Sequence, residues 1–350
     1  MATTPPPEET TTTPPRRVAT YGPQTGAKQV DKSRLGGGGR SEYGRGLAFG
    51  ITAYLMWGLF PLYWPLLEPA GALEILAGRF AWSLIFLAIV ATVMRAWPGV
   101  LAVLRQPRTR ALLVVAATVL GINWGTYIWA VNAGHVVETS LGYFITPLIS
   151  LALGVLVFKE RLRPLQWTAF GIAFIAVIVL TINYGRPPFI ALVLAASFGS
   201  YGLIKKLAGA PPLESLVVET AYAFPLAIGY LLYLQVSNAL VFGHFAWGTT
   251  LLLAATGIIT AIPLLFFGGA VNRVPLTVMG VLQYLAPIIQ FLVGIFYFHE
   301  DMPPARWLGF VIVWIALMVF TADAIRHNRM TRAAESQTSE AESLILTTDA

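Results

Sequence analysis

The stretch Ala130-Val-Asn-Ala-Gly-His-Val-Val-Glu-Thr-Ser-Leu-Gly-Tyr-Phe-Ile-Thr-Pro-Leu-Ile-Ser-Leu-Ala-Leu-Gly-Val-Leu-Val-Phe-Lys-Glu160 decides the fold. It returns from Ala270-Val-Asn to Phe298-His-Glu300 at a constant offset of 140 residues, and the match runs on to Thr181 and Thr321. Asn132/Asn272, Pro147/Pro287, Gly154/Gly294, Glu160/Glu300, Pro164/Pro304 and Trp167/Trp307 are kept in both copies. The chain is therefore a duplicated unit.

Each copy is apolar for about 20 residues, enough to cross a bilayer as a helix, with a proline near the middle. Such a proline frees the carbonyl four residues earlier, at Tyr143 or Gln283. In hydrocarbon that carbonyl must find a partner or line a wet cavity. Helical spacing puts Tyr143, Pro147, Ser150 and Gly154 on one face of the first copy, and Gln283, Pro287, Gln290 and Gly294 on the matching face of the second. These stripes are candidate walls of a central pathway. The plainer alternative is that the prolines only kink, and the glycines only allow close packing of, two interior helices.

Hydrophobic residues make up 56% of the chain and charged ones 11%, and the mean hydropathy is +0.69. A soluble domain could not hide that much apolar surface, so the composition calls for an all-α integral membrane protein. With no cysteine, disulfides, thiol catalysis and Cys-ligated metals are excluded. The net charge of +6 sits beside apolar segments, where membrane orientation explains it better than nucleic acid does.

Residues 1–45, rich in Pro, Thr and Gly, and the polar residues 327–350 are expected to be disordered cytoplasmic tails. A secretory signal before the first span is not expected. Between the tails ten helices are expected, near 46–67, 73–94, 110–131, 137–158, 165–183, 188–206, 214–236, 248–270, 276–298 and 305–325. Residues 46–183 form the first five-helix repeat and 188–325 the second. With the N-terminus inside, the inner connectors hold Arg95, Arg105, Arg108, Arg110, Lys159, Arg161, Arg163, Lys205, Lys206, Arg273, Arg326, Arg329 and Arg332, and the outer ones only Arg186 and Arg306. Both termini are thus expected in the cytoplasm. The Asn132 turn then lies outside and the Asn272 turn inside, so the repeats are inverted, the arrangement that alternating access uses.

Arg79 falls within the second span and Glu219, at the same 140-residue offset, within the seventh. Charges at membrane depth cost a few kcal/mol and should face the interior. Two readings stand: Glu219 as a protonation or cation-coupling site with Arg79 anchoring an anionic or carbonyl-bearing group, or both satisfied structurally by neighbouring helices or by snorkelling. Asn123 and Tyr127 lie one turn apart beside Trp124, and Trp57, Thr260 and Tyr284 add aromatic and hydrogen-bonding groups, a lining suited to an amphipathic or aromatic organic solute. Trp64, Trp97, Trp129 and Trp247 read as interface anchors. Glu74 and Glu138 read as caps of their own helices, and Glu160 and Glu300 as holding tight turns. Gly46 with Gly50, and Gly121 with Gly125, have the spacing of close helix packing. No Walker A, HExxH or GxSxG motif occurs, and the histidines are scattered, so ATP use, metal, cofactor and enzymatic activity are not expected.

At this point the chain resembles the drug/metabolite transporter (DMT) superfamily of the EamA type, and most closely its RarD branch. The resemblance is carried by Ala53-Tyr-Leu-Met-Trp-Gly-Leu-Phe-Pro61, Glu74-Ile-Leu-Ala-Gly-Arg79, Trp82-Ser83, Asn123-Trp124, Ile128-Trp-Ala-Val-Asn132, Glu138-Thr-Ser-Leu-Gly-Tyr-Phe-Ile145, Tyr201-Gly-Leu203, Lys205-Lys206, Glu219-Thr220, Pro263-Leu-Leu265, Gln283-Tyr284 and Glu300. It implies a ten-helix inverted-repeat permease of the bacterial cytoplasmic (inner) membrane that moves a small organic metabolite or drug-like molecule through a central cavity. The branch is commonly labelled for chloramphenicol, so amphenicol-type compounds are among the candidate solutes. Gly78, Pro65 and His299 stand where relatives tend to carry His, Lys and Gly, so roles tied to those side chains do not transfer. A membrane channel or a non-transporting sensor is the alternative. The sequence leaves the oligomeric state open, a monomer being compatible with it, and calls for no partner beyond solute and lipid.

Overall fold

The computed structural model describes residues 38–158, 163–271, 273–274, 279 and 282–348. By its contacts the chain divides into two units, Met1–Ser41 and Glu42–Ala350, and the helical bundle belongs to the second. The described residues are helical throughout, without strands: α1 (Gly38–Tyr63) and a 3-10 turn (Trp64–Leu67), α2 (Ala72–Val93), α3 (Trp97–Arg105), α4 (Pro107–Asn132), α5 (Val136–Phe158), α6 (Pro164–Tyr184), α7 (Phe189–Ala208), α8 (Pro212–Val236), α9 (Trp247–Val271), α10 (Leu285–Phe296) and α11 (Pro304–Thr348). Eight stretches among them are long and apolar enough to cross a membrane, while α7 and α10 carry shorter apolar segments. Large apolar side chains stay exposed on the outer helices, among them Phe174, Ile178 and Ile182 on α6 and Leu308, Ile315 and Met318 on α11. In water such a belt would aggregate; against lipid tails it is the favoured surface. The chain is a multi-pass membrane protein.

Breakers set the helix ends. Pro107, Pro164, Pro212 and Pro304 open α4, α6, α8 and α11, where the missing N–H costs nothing. Gly185 and Gly209 close α6 and α7 in the left-handed conformation, at φ +65° and +59°, which glycine adopts without penalty. The short amphipathic α3, absent from the sequence expectation, begins at Trp97-Pro98 and buries Val100 and Val103.

Two elements differ from expectation. Pro147 lies inside α5 as read, but Pro287 sits in the first turn of α10, preceded by a turn at Gln283 and Tyr284. There a proline opens a helix rather than kinking it. The expected disordered tail from 327 continues as helix to Thr348. From Arg326 to Thr348 the sequence contains no Gly or Pro and many Ala, Glu and Arg, so propensity carries the helix past its apolar part.

Helix pairs close through small residues. α2 packs on α8 and α9, α4 on α7 and α8, α5 on α7 and α10, and α6 on α11. At Gly257 a Cβ would collide with the Trp82 carbonyl group, so α9 rests directly on the α2 backbone. Gly46 and Gly50 likewise leave no room for a Cβ against Val274 and Leu282, and a Cβ on Gly125 would press on Leu76 at 3.2 Å, whereas Gly121 meets only Phe80 at 3.7 Å; the glycine spacing marks tight packing at both glycines of α1 and at one of the two in α4. Gly257→Ala is expected to cost about 3 kcal/mol, the upper part of the overpacking range. Its melting temperature in detergent should fall well below wild type, while Gly171→Ala, which meets nothing within 4 Å, should leave it unchanged.

Candidate solute-binding site

Arg79 lies in the second turn of α2 and is 4% exposed. Because Gly257 lets α9 touch α2, Thr260 comes within reach, and Arg79 Nε donates to Thr260 Oγ1 at 2.8 Å. Aromatic rings surround the guanidinium: its carbon is 3.7 Å from the Trp124 ring centroid, 5.1 Å from Trp64 and 5.8 Å from Phe60. Each ring face attracts a desolvated cation by about 0.5–2 kcal/mol. Among the described residues no carboxylate pairs with Arg79. Tyr127 and Tyr143 stand close enough to interact with its charge.

The polar groups beside it are fixed by α7. Asn123 is 1% exposed, and its Nδ2 donates to the Leu194 carbonyl at 3.1 Å and to Ser197 Oγ at 2.9 Å. Its Oδ1 accepts from the Tyr143 hydroxyl at 3.3 Å, so one side chain ties α4, α5 and α7 together. Asn123→Ala would orphan the Tyr143 hydroxyl, a buried polar loss costing about 1–3 kcal/mol, while Ser197 keeps its bonds to the Val193 and Leu194 carbonyls. A lowered melting temperature together with weakened solute binding is expected; a stable variant with unchanged binding would remove Asn123 from the site.

From Tyr127 an aromatic file runs along α5 and α7: Tyr127–Tyr143, Tyr143–Phe198 and Phe198–Tyr201, with centroids 5.7, 5.9 and 6.1 Å apart. It ends at Glu219, whose carboxylate is 0% exposed, accepts from Tyr201 at 2.9 Å and pairs with Lys205 Nζ at 2.6 Å. Lys205 also donates to Ser215 Oγ. Glu219 is thus held by α7 through Tyr201 and Lys205.

The other expected lining residues scatter. Trp57 contributes its backbone carbonyl, which accepts from Gln290 Nε2 at 3.1 Å, while its ring packs on Tyr54 and Phe267. Pro287 and Gln290 are buried in α10, and Gln290 Oε1 has no hydrogen-bond partner among the described residues. Ser150 is exposed, on the stretch of α5 that Gly199 approaches. Tyr284 packs into the cluster of α5, α6 and α11. Glu160 lies outside the described residues.

Three readings change. Trp64 is fully buried against Arg79 rather than anchoring at an interface, because the 3-10 turn folds it back under α1. Glu74 caps no part of its own helix; its Oε1 accepts from the Val241 and Phe242 amides at 3.0 and 2.9 Å. Glu138 likewise accepts from the Ile190 amide at the start of α7, at 3.1 Å, and pairs with Arg186. A carboxylate in a first turn can reach sideways to free N–H groups of a connecting loop, as Glu74 does, or of another helix's start, as Glu138 does.

Glu300 makes a third such link, accepting from the amides of Val136 and Val137 at the start of α5. Burial pushes its carboxyl up from 4.5 to about 7, against the opposing pull of those two amides and of Arg306. The folded form therefore holds the proton more readily than the unfolded one. Its contribution to stability is full below 4.5 and declines as pH rises to about 7, then levels. Glu300→Gln should flatten the melting temperature across that window; equal slopes in variant and wild type would contradict this.

Sequence comparison agrees with this architecture. The family model of the EamA-like transporters matches residues 44–182. Protein RarD of Streptomyces exfoliatus is 55% identical over 293 residues, covering 84% of this chain and 93% of that one. The uncharacterized transporter YojE of Bacillus subtilis is 42% identical, covering 84% and 99%. A solved crystal structure superposes with a TM-score of 0.51 at 20% identity, covering 80% of this chain and 98% of that one, a likeness of fold alone. With its apolar helices and relatives of this closeness over most of its length, the chain belongs to the EamA-like transporter family as a RarD-like member of the drug/metabolite transporter superfamily.

Proposed function

We propose that this protein is a secondary transporter that carries a small organic solute across the bacterial plasma membrane by alternating access. In this reading its ten spans form two inverted five-helix halves, and both termini are cytoplasmic. The carrying observation is Arg79, a buried cation that pairs with no carboxylate among the described residues, gripped by α1, α2 and α4 of the first half and by Thr260 of the second. A charge kept at that depth against a cost of a few kcal/mol marks a pathway more often than a scaffold. The packing supports two equivalent halves: exchanging them maps α2·α8, α5·α10 and α6·α11 onto themselves and α2·α9 onto α4·α8.

The solute offers Arg79 an anionic or carbonyl-bearing head and lays an aromatic or apolar body against Trp64, Trp124, Tyr127 and Tyr143. Amphenicol-type drugs and aromatic metabolites both meet that description. Trp57, Asn123, Pro147, Ser150, Gln283, Tyr284, Pro287 and Gln290 extend the pathway, and Lys205–Glu219 closes the inner end of the α7–α8 hairpin. Counterflow in proteoliposomes tests the reading. A carrier exchanges labelled solute at saturable rates, a channel conducts without saturating alike, and a sensor binds without flux.

A further inference from the structure

The buried carboxylates elsewhere are satisfied, three of them by counter-charges and Glu74 by two backbone amides. Among the described residues Glu219 pairs with Lys205 at 2.6 Å, Asp323 with Arg163 at 2.5 Å and Glu138 with Arg186 at 3.4 Å. Arg79, by contrast, has neither a counter-charge nor a full set of acceptors among them. Its guanidinium carries five N–H donors, of which one, Nε–H, has an acceptor among the described residues, Thr260 Oγ1. The other four, on the two Nη atoms, form a fork that matches a carboxylate. Next to it the Trp64 indole N–H and the Tyr127 hydroxyl are also buried without partners among the described residues. The surplus here is of donors and of positive charge.

We propose that the solute recognised at Arg79 is an organic monoanion, a carboxylate on a ring-bearing or apolar body, and not a neutral or cationic compound. This rests on Arg79 marking the solute site. A carboxylate has only acceptors, about four lone-pair sites, and so takes the Arg79 fork and the Tyr127 hydroxyl together while cancelling the charge. A neutral amide satisfies at most part of the fork, leaves the cation unbalanced and adds N–H groups that find no acceptor. An ammonium is repelled. Inorganic phosphate meets the charge but cannot offset its lost hydration against the rings of Phe60, Trp64 and Trp124.

The experiment measures binding to the purified full-length protein by thermal shift and by quenching of tryptophan fluorescence. The probes are phenylacetate, 3-phenylpropionate and indole-3-acetate, their matched amides and amines, chloramphenicol, and inorganic phosphate. The acids should bind at least about tenfold tighter than their amides, the loss expected when a charge-assisted fork is removed, and phosphate and the amines should not bind. In Arg79→Gln that preference should vanish. Arg79→Lys, which keeps the charge without the fork, should retain some acid preference at weaker affinity and keeps the test valid if Arg79→Gln does not fold. Amides or chloramphenicol bound as tightly as the acids, acid preference surviving in Arg79→Gln, or no acid binding at all would overturn the proposal. Counterflow separates the two readings: acid-selective binding without flux sinks the carrier and spares this inference, whereas flux of neutral solutes only does the reverse.

Discussion

Arg79→Gln is expected to lower transport by a factor of about 100 or more while the protein still folds and inserts. Two charge-assisted hydrogen bonds to the solute, at roughly 1.5–3 kcal/mol each, are lost together with the charge. Stability moves far less, because two effects oppose. The variant gives up the attraction of three ring faces, about 0.5–2 kcal/mol each. It also escapes the desolvation of a lone buried cation, which costs several kcal/mol. A melting temperature near that of wild type with flux reduced to background is the expected pair of results. Undiminished flux would return Arg79 to a purely structural role.

The second large effect falls on the other buried charge. Lys205→Met should destabilise the protein by about 3–5 kcal/mol, since it strands a carboxylate in the interior. The partners are unequal: the Lys205 side chain is 23% exposed and that of Glu219 0%. Lys205 can therefore turn toward water when Glu219 is removed, and Glu219→Gln should cost less than Lys205→Met. The double variant Lys205→Met with Glu219→Leu should recover most of the loss, because an apolar pair of similar volume carries no desolvation penalty. Thermal unfolding in detergent gives the ranking. Equal losses in both single variants, or a double variant worse than either, would contradict it. Glu219→Gln also tests coupling: unchanged transport with unchanged pH dependence leaves Glu219 as a structural partner of Lys205.

How much of the site is legible in the sequence depends on how local each signal is. The duplication shows because prolines, glycines and glutamates recur at one offset, and a charge in an apolar run, such as Arg79, stands out against its own neighbours. Partners are set by packing and leave no local trace. Lys205, close to the end of a short apolar helix, looks interfacial, and only the α7–α8 contact delivers it to Glu219. Trp64 at the end of a span looks like an anchor until the 3-10 turn buries it. Glu74 and Glu138 occupy capping positions, yet the amides they satisfy belong to segments 167 and 52 residues away. Pro287 carries the same motif as Pro147 but opens its helix instead of interrupting it, a difference set by the turn before it. Phe60 and Tyr201, which complete the cation cage and the aromatic file, are indistinguishable in the sequence from ordinary core aromatics.

The chain contains no native cysteine, so one introduced thiol reports access without background. Tyr127→Cys, beside Arg79, should react with a membrane-impermeant maleimide applied from either face of oriented vesicles, and a bound solute should protect it from both. Labelling from one face only, whatever the solute, or from neither would contradict a site that the two halves expose in turn.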